Sequence, residues 1–505
     1  MRILMLGWEF PPFIAGGLGV ACYGLTKALD KAGHEVVFVL PKPVDRSHTS
    51  HVRMLSPDAL AAAARRDRTP VTDESGQILR GPDGAPIFDE ADGVDADPMA
   101  GFAHATFRGV PASFTSPYPA FDPANVPRLT GLNGAEPAAH GTLAPDEAAA
   151  VAHEAGLALR EAGDPGGAHD APVALSAGAP RGFIGTGGGA GVGYGMDLVG
   201  DSERYARLVV ALSRRERFDV IHAHDWLTFP AAIALATVSG KPLVVHVHST
   251  EFDRAGNNVN QRVYDIERAG MQAADRVLAV SQFTKSICVR RYGLAPDKVD
   301  VIYNGIDPDA AQPPPGARIE SGDKIVLFLG RITMQKGPEY FIAAARRVLE
   351  KVKDVKFVLA GSGDMALRMI ELAASMGIGH KVLFTGFLRG RDVERVFRMA
   401  DCYVMPSVSE PFGLAALEAI SHDVPVILSK TSGASEVLQH VLKVDFWDID
   451  EMANKIIAVL RHPALSGTLR EHGSFELHRL TWDGAAERCQ TSYGKAIAAR
   501  GPARR

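Results

Sequence analysis

The residues best placed to do chemistry in this chain are two carboxylates, Glu410 and Glu418, with seven residues between them in Ser409-Glu410-Pro411-Phe412-Gly413-Leu414-Ala415-Ala416-Leu417-Glu418. The apolar run Cys402-Tyr403-Val404-Met405 before them reads as a buried strand and Leu414 to Ile420 as a helix, so the carboxylates bracket a strand-to-helix turn. Gly413 lets a ligand approach the backbone there. Free N–H groups at a helix start favour an anion, and carboxylates accept hydrogen bonds from hydroxyls. Phosphate beside sugar is the ligand chemistry this turn suits.

Other strand ends offer further groups. In Leu329-Gly330-Arg331-Ile332-Thr333-Met334-Gln335-Lys336-Gly337, Arg331 presents a planar fork of donors and Lys336 a compact charge, the natural partners of a diphosphate unless both are simply solvated. Val244-Val245-His246-Val247-His248-Ser249-Thr250-Glu251 ends another strand, and alternation puts His246 and His248 on one face. His222-Ala223-His224-Asp225-Trp226 ends the strand before it; Asp225 either binds acceptor hydroxyls or orients a neighbouring histidine. These histidines are not spaced as metal ligands, so no metal is expected. Gly361 in Ala360-Gly361-Ser362-Gly363-Asp364, and Phe387 and Leu388 after Thr385-Gly386, belong either to ligand-facing loops or to ordinary strand-to-helix turns. Tyr303-Asn304-Gly305 reads as a turn with Asn304 and Gly305 suited to positive φ.

The elements that must carry these groups alternate between strand and helix. Ile3 to Leu6, a loop with Gly16-Gly17-Leu18-Gly19, a helix from Val20 to Ala32 and a strand from Val36 to Leu40 make a βαβ unit, whose ligand end is the carboxyl end of its strands. Its glycines do not fit Gly-x-Gly-x-x-Gly, and no acid follows Val39, which argues against a Rossmann oxidoreductase. A helix from Ser202 to Arg215 and strands at Asp219–Ala223, Leu243–Val247, Arg276–Val280 and Val299–Ile302 complete a parallel sheet. After the Pro-rich connection Gln312 to Gly316, strands at Lys324–Gly330, Phe357–Leu359, Val382–Thr385, Cys402–Met405 and Val426–Leu428 build a second sheet. The expected fold class is α/β, two doubly wound domains with a cleft between them: 1–315, 316–480, and a last helix from Asp483 to Ala499 within 481–505. Residues 43–200 read as a low-complexity insert, with a short apolar island from Val110 to Phe121. Within it Gly185 to Gly191 lacks the Lys-Ser/Thr of a phosphate loop and reads as linker, and Asp95-Ala96-Asp97 as a chance pairing.

The 505 residues suffice for two full cores. A net charge of −5 gives no reason to expect nucleic acid or an acidic membrane as partner. Cys22, Cys288, Cys402 and Cys489 lie far apart and read as reduced thiols, at least partly buried. The N-terminus is too briefly apolar for a signal peptide, and no run nears the ~18 apolar residues of a membrane span. A soluble cytoplasmic protein is expected, with its oligomeric state open.

The two-Glu motif, the Gly-Arg-…-Lys-Gly loop, the His248 strand and the glycine loop occur in the order found in retaining glycosyltransferases of GT-B fold, and the chain resembles the large group that includes glycogen synthases and sucrose-phosphate synthases. The resemblance covers about two-thirds of the chain. It implies two facing Rossmann-like domains and transfer of a hexose, glucose above all, from a nucleoside diphosphate sugar (UDP- or ADP-glucose) to a carbohydrate acceptor, without metal or cofactor. It further implies His248 and Glu410 at the transferred sugar and Arg331 and Lys336 at the diphosphate. Gly17, Gly413 and Leu414 would lie at phosphate or sugar, Glu418 at the ribose, and Phe387 and Leu388 at the base, with the leaving phosphate deprotonating the acceptor. The final helix would cross back to the first domain. Trp8-Glu9-Phe10-Pro11-Pro12 also resembles the opening of glycogen and starch synthases, but Ile14 stands where their Lys-x-Gly-Gly-Leu carries lysine. That departure puts ADP-glucose specificity in doubt and leaves the fold reading intact, so α-glucan synthesis is favoured only weakly over transfer of another sugar or to another acceptor. A nucleotide-sugar epimerase and a non-enzymatic donor-binding scaffold are the rivals.

Overall fold

A computed structural model describes residues 1–10, 16–41, 106–109, 198–213, 216–307 and 322–500. All of them lie in one structural unit, Met1–Ala120 with Gly191–Arg505. The boundary near 315, Ile14, Asp95 and Asp97, the island Val110 to Phe121 and the glycine run Gly185 to Gly191 fall outside the described residues.

Runs of Val, Ile and Leu too continuous to leave a polar face pack as parallel strands covered on both sides. The first sheet comprises β1 (Arg2–Leu6), β2 (Glu35–Leu40), β3 (Thr106–Gly109), β4 (Val220–His224), β5 (Leu243–Val247), β6 (Arg276–Ala279) and β7 (Val299–Val301), in the order β3-β2-β1-β4-β5-β6-β7. The second comprises β8 (Lys324–Leu329), β9 (Val355–Ala360), β10 (Val382–Gly386), β11 (Cys402–Met405), β12 (Val426–Ser429) and β13 (Leu442–Val444), in the order β10-β9-β8-β11-β12-β13. Every pairing is parallel. Strand order reverses at β1/β4 in one sheet and at β8/β11 in the other, and such reversals open the crevices in which α/β proteins bind ligands. The loops after β1, β4, β8 and β11 hold most of the candidate residues.

The first helix, Gly17–Lys31, begins three residues earlier than its apolar pattern predicts, so Gly17 is a helix-start residue and not part of a loop. Two strands escaped the sequence reading. β3 lies inside the supposed patternless insert and pairs with β2 from Val37↔Thr106 to Leu40↔Gly109, and β13 extends the second sheet past Val426–Ser429. Both are short edge strands, where little apolar alternation is available to detect. The expected positive φ at Asn304 and Gly305 is not found. Gly305 is required for space instead, since a Cβ there would lie 2.3 Å from the backbone nitrogen of Trp482.

One face of the first sheet is covered by the helices Leu198–Ser213, Phe229–Ser239, Gln261–Ala273 and Gln282–Tyr292. The other is covered by Gly17–Lys31 and the final helix, Trp482–Arg500, whose Ala485, Ala486, Cys489, Tyr493 and Ala496 are buried against Ile3, Met5, Val220, Val244 and Leu278. Ion pairs of Lys31 with Asp483 and of Arg500 with Asp275 fix its ends. All four cysteines are unpaired and buried.

Candidate active site

Gly413 ends the loop after β11 at φ +106, where an L side chain is strained, and starts the helix Leu414–Ser421 with no side-chain cap. The helix Gly17–Lys31 likewise lacks a side-chain cap. The two bare helix starts face each other: a Cβ on Gly17 would lie 3.8 Å from Leu414 Cδ1. Each start presents the positive end of a helix dipole, which stabilises an anion.

Beside them Lys336 donates to Glu410 Oε2 at 2.5 Å, and Ser407 Oγ donates to the same oxygen at 3.1 Å. Glu410 is 9% and Lys336 20% exposed in their side chains, so the pair is largely shielded yet reachable from the cleft. Their loops are tied by Gln335, a residue the sequence reading passed over. Its carbonyl accepts from the N–H of Val408 and Ser409, its side-chain amide donates to Ser409 O, and its Oε1 accepts from Arg331. A buried glutamine between two cations gave no signal in the sequence. Gly361, at φ +142, lets the β9 loop pass so close to the β8 loop that a Cβ would sit 1.9 Å from Gly330 O. Phe387 is exposed beneath the Arg389 guanidinium, and Leu388 is partly buried. Burial raises the Glu418 carboxyl above its usual range.

On the facing side, β4 and β5 end in four stacked imidazoles. Ring centroids lie 4.4 Å apart for His222 and His224, 5.4 Å for His224 and His246, and 4.3 Å for His246 and His248. His224 Nδ1 and His248 Nε2 are hydrogen-bonded at 2.9 Å, and His222 Nδ1 meets the Tyr493 hydroxyl at 2.6 Å. Burial holds all four neutral, lowering His248 to about 3. The expectation that these residues are not placed as metal ligands needs correcting on distance. Ring nitrogens of His222, His224 and His246 come within 4.8 Å of one another, because pairing of β4 with β5 sets His224 opposite His246. Their planes lie within 28° of parallel, however, so the in-plane lone pairs run side by side and do not converge; ligation would require the rings to turn.

Of the two roles considered for Asp225, the structure bears on the orienting of a neighbouring histidine. Held at φ 58, it accepts from the backbone N–H of His248 at 2.7 Å and of Ser249 at 3.4 Å, so it orients the end of β5 through the main chain and not through an imidazole. Burial raises its carboxyl to about 7. Beyond it the capping box of Thr250 and Asp253 starts the helix Glu251–Ala255, and Ser409 Oγ crosses from the second sheet to donate to Asp253 at 2.5 Å. Glu436 makes a second tie, accepting from the N–H of Gln282 and Phe283 and from the Tyr303 hydroxyl. Thr250-x-x-Asp253 is a capping-box pattern the sequence reading passed over, whereas the tie of Asp253 to Ser409 and the ties of Glu436 join residues distant in sequence and have no local signal.

Two parallel sheets, each with its strand-order reversal facing a cleft that holds paired helix starts and a Lys–Glu pair, define a GT-B architecture. Family models agree: residues 314–474 match Glycosyl transferases group 1, residues 176–310 Glycosyltransferase Family 4, and residues 2–81 the Starch synthase catalytic domain. Residues 314–474 thus carry a group 1 glycosyltransferase domain, within a chain of GT-B fold. It is 35% identical over 238 residues to an uncharacterized glycosyltransferase of Methanocaldococcus jannaschii, covering 45% of this chain and 61% of that one. It is 30% identical over 258 residues to the glycogen synthase of Mycobacterium tuberculosis, covering 50% and 62%. The matched segments thus span less than two-thirds of either relative. Sucrose-phosphate synthase from Thermosynechococcus elongatus shares the fold at a TM-score of 0.61 and 18% identity, over 99% of this chain and 100% of that one.

Proposed function

We propose that this chain is a retaining hexosyltransferase that moves glucose from UDP- or ADP-glucose to a carbohydrate acceptor, an α-glucan in the first instance, without a metal. The observation that carries the reading is the pair of uncapped helix starts at Gly17 and Leu414, in contact beside Lys336 and Glu410. Such a site offers a diphosphate two sets of N–H donors, with the Arg331 fork and the Lys336 ammonium on the neighbouring loop, and this supplies the charge neutralisation that a cation gives elsewhere. Glu410 would exchange part of its contact with Lys336 for sugar hydroxyls, and Glu418 would accept from the ribose. Gly361, Phe387 and Leu388 line the base side.

In the transfer, the bond between the anomeric carbon and the diphosphate oxygen breaks and its electron pair leaves on that oxygen. The acceptor hydroxyl oxygen bonds to the anomeric carbon on the same face, and its proton passes to an oxygen of the leaving phosphate. Asp225 accepts from the His248 N–H and so holds the end of β5, where His248 would lie close to the transferred sugar. The likeness to glycogen synthase favours an α-glucan acceptor, and four unpaired cysteines suit a reducing cytoplasm. Among the described residues no helix is long and apolar enough to cross a membrane.

The test is nucleoside diphosphate release from UDP-, ADP- and GDP-sugars, each with and without glycogen, maltooligosaccharides and sugar phosphates. Release that requires a glucan, with a longer glucan as product and α-configured linkages by NMR, is expected. Release without acceptor, accompanied by an isomerised sugar, would replace this reading with an epimerase; donor binding without turnover would leave a scaffold.

A further inference from the structure

Asp253 divides its carboxylate between the two halves of the molecule. Oδ2 accepts from the N–H and from the hydroxyl of Thr250, both at 2.7 Å, which closes the capping box of the helix Glu251–Ala255. Oδ1 accepts from Ser409 Oγ at 2.5 Å, and Ser409 is the residue before Glu410. A cap needs only the first oxygen, so capping does not account for the second contact.

A helix of five residues has little stability of its own, and this one is held by what lies behind it. The Arg254 guanidinium donates from Nε to Glu251, from Nη2 to Glu267 and from Nη1 to the Ser249 carbonyl. Glu267 also accepts from the Glu251 N–H and from the Tyr292 hydroxyl. Glu251, Asp253 and Glu267 are all buried. Such a network costs desolvation and is a poor source of net stability, but fully paired it is rigid. It makes Asp253 a fixed point on the first sheet's side of the cleft. On the other side the Gln335 carbonyl accepts from the Ser409 N–H at 3.4 Å and the Gln335 amide donates to the Ser409 carbonyl at 3.1 Å, so the chain ahead of Glu410 is held from both sides. The helix Glu251–Ala255 also packs on the Met334–Lys336 turn. Lys336 and Glu410 thus both lean on one element of the opposite half.

We infer that Asp253 is a positioning residue for the Lys336–Glu410 pair, setting the Glu410 carboxylate from across the cleft through Ser409. What that pair does in transfer rests on the function proposed above; its dependence on Asp253 does not. A misplacement of about 1 Å at a reacting site can cost on the order of a hundredfold in rate, so this tie should weigh more in turnover than in stability.

Ser409→Ala is the test, because it removes the tie and leaves the capping box whole. In the full-length protein kcat for nucleoside diphosphate release should fall about tenfold, with a smaller change in donor KM. Ser409→Thr keeps a hydroxyl and should return kcat toward the wild type. Lys336 is read independently of turnover, by the rate at which acetic anhydride labels it, followed by mass spectrometry with Lys455 as internal reference. Loosening of the pair should raise that rate several-fold in Ser409→Ala. Asp253→Ala loses the cap as well and should melt lower, yet adding Ser409→Ala to it should cost no further kcat. An unchanged Lys336 rate in Ser409→Ala overturns the inference, as do kcat losses that multiply in the double variant. The labelling rate gives its answer whether or not transfer is detected, so failure of the proposed function and failure of this inference are told apart.

Discussion

The strand ends of the two sheets face one cleft with opposite electrostatic designs. The second sheet presents Lys336 ion-paired with Glu410 and braced by Gln335 and Ser407, with Arg331 on the same loop. The first presents four imidazoles kept neutral by burial and a carboxylate turned inward onto backbone N–H groups. A leaving diphosphate needs charge and an acceptor sugar needs directional but uncharged hydrogen bonding. On the proposed function the two halves would divide those tasks, and the contrast between a charged and a neutral side is what the following variants break.

The sharpest break in that division should come from the charged side. Lys336→Met is expected to lower kcat by roughly a hundred- to a thousandfold, in the range seen when a preorganised group that stabilises developing charge is removed. It should also cost about 3 kcal/mol in urea unfolding, because Glu410 is left shielded and unpaired. Adding Glu410→Gln should recover the stability and none of the turnover; recovery of turnover would show the pair to be structural only. Gly413→Ala comes next, forcing a side chain to φ +106 with its Cβ 2.8 Å from Met405 Cε, for a loss of about 1–3 kcal/mol.

The neutral side should answer to pH. The four histidines have folded pKa values below their unfolded value of about 6.5, so their contribution to stability is complete above that pH and is lost as pH falls toward about 3 for His248. Urea unfolding between pH 7.5 and 5 should show this decline, and His224→Phe should make it shallower. Asp225 has the opposite sign. Raised to about 7, its contribution is present below the unfolded value of about 3.9 and is lost as pH rises through 7. Asp225→Asn retains the accepting oxygen and should raise the melting temperature at pH 8 while leaving it unchanged near pH 4. Ser409→Ala, which removes one tie between the halves, should cost only about 1 kcal/mol, read by the same unfolding experiment.

The charged side was the more legible in sequence because its groups are local. Arg331, Lys336, Glu410 and Glu418 each follow a strand whose apolar run predicts it, and a strand end in a parallel sheet has only one functional direction. The neutral side was legible residue by residue and misread as a group: the spacing of His222, His224, His246 and His248 along the chain does not show that β4 lies beside β5. The roles of Gln335 and Glu436 and the tie of Asp253 to Ser409 were missed for the same reason, since what each joins is distant in sequence or lies on another strand's loop.

By itself, then, the amino-acid order determined the alternation of strand and helix, the two-sheet class and the loops that carry chemistry, because these follow from apolar periodicity and from glycine and proline placed at turns. Only the tertiary structure decided strand neighbours, the contact between the helix starts at Gly17 and Leu414, the return of the Trp482–Arg500 helix and the stacking of the histidines. Those depend on packing between segments up to several hundred residues apart, and local propensity contains no term for that.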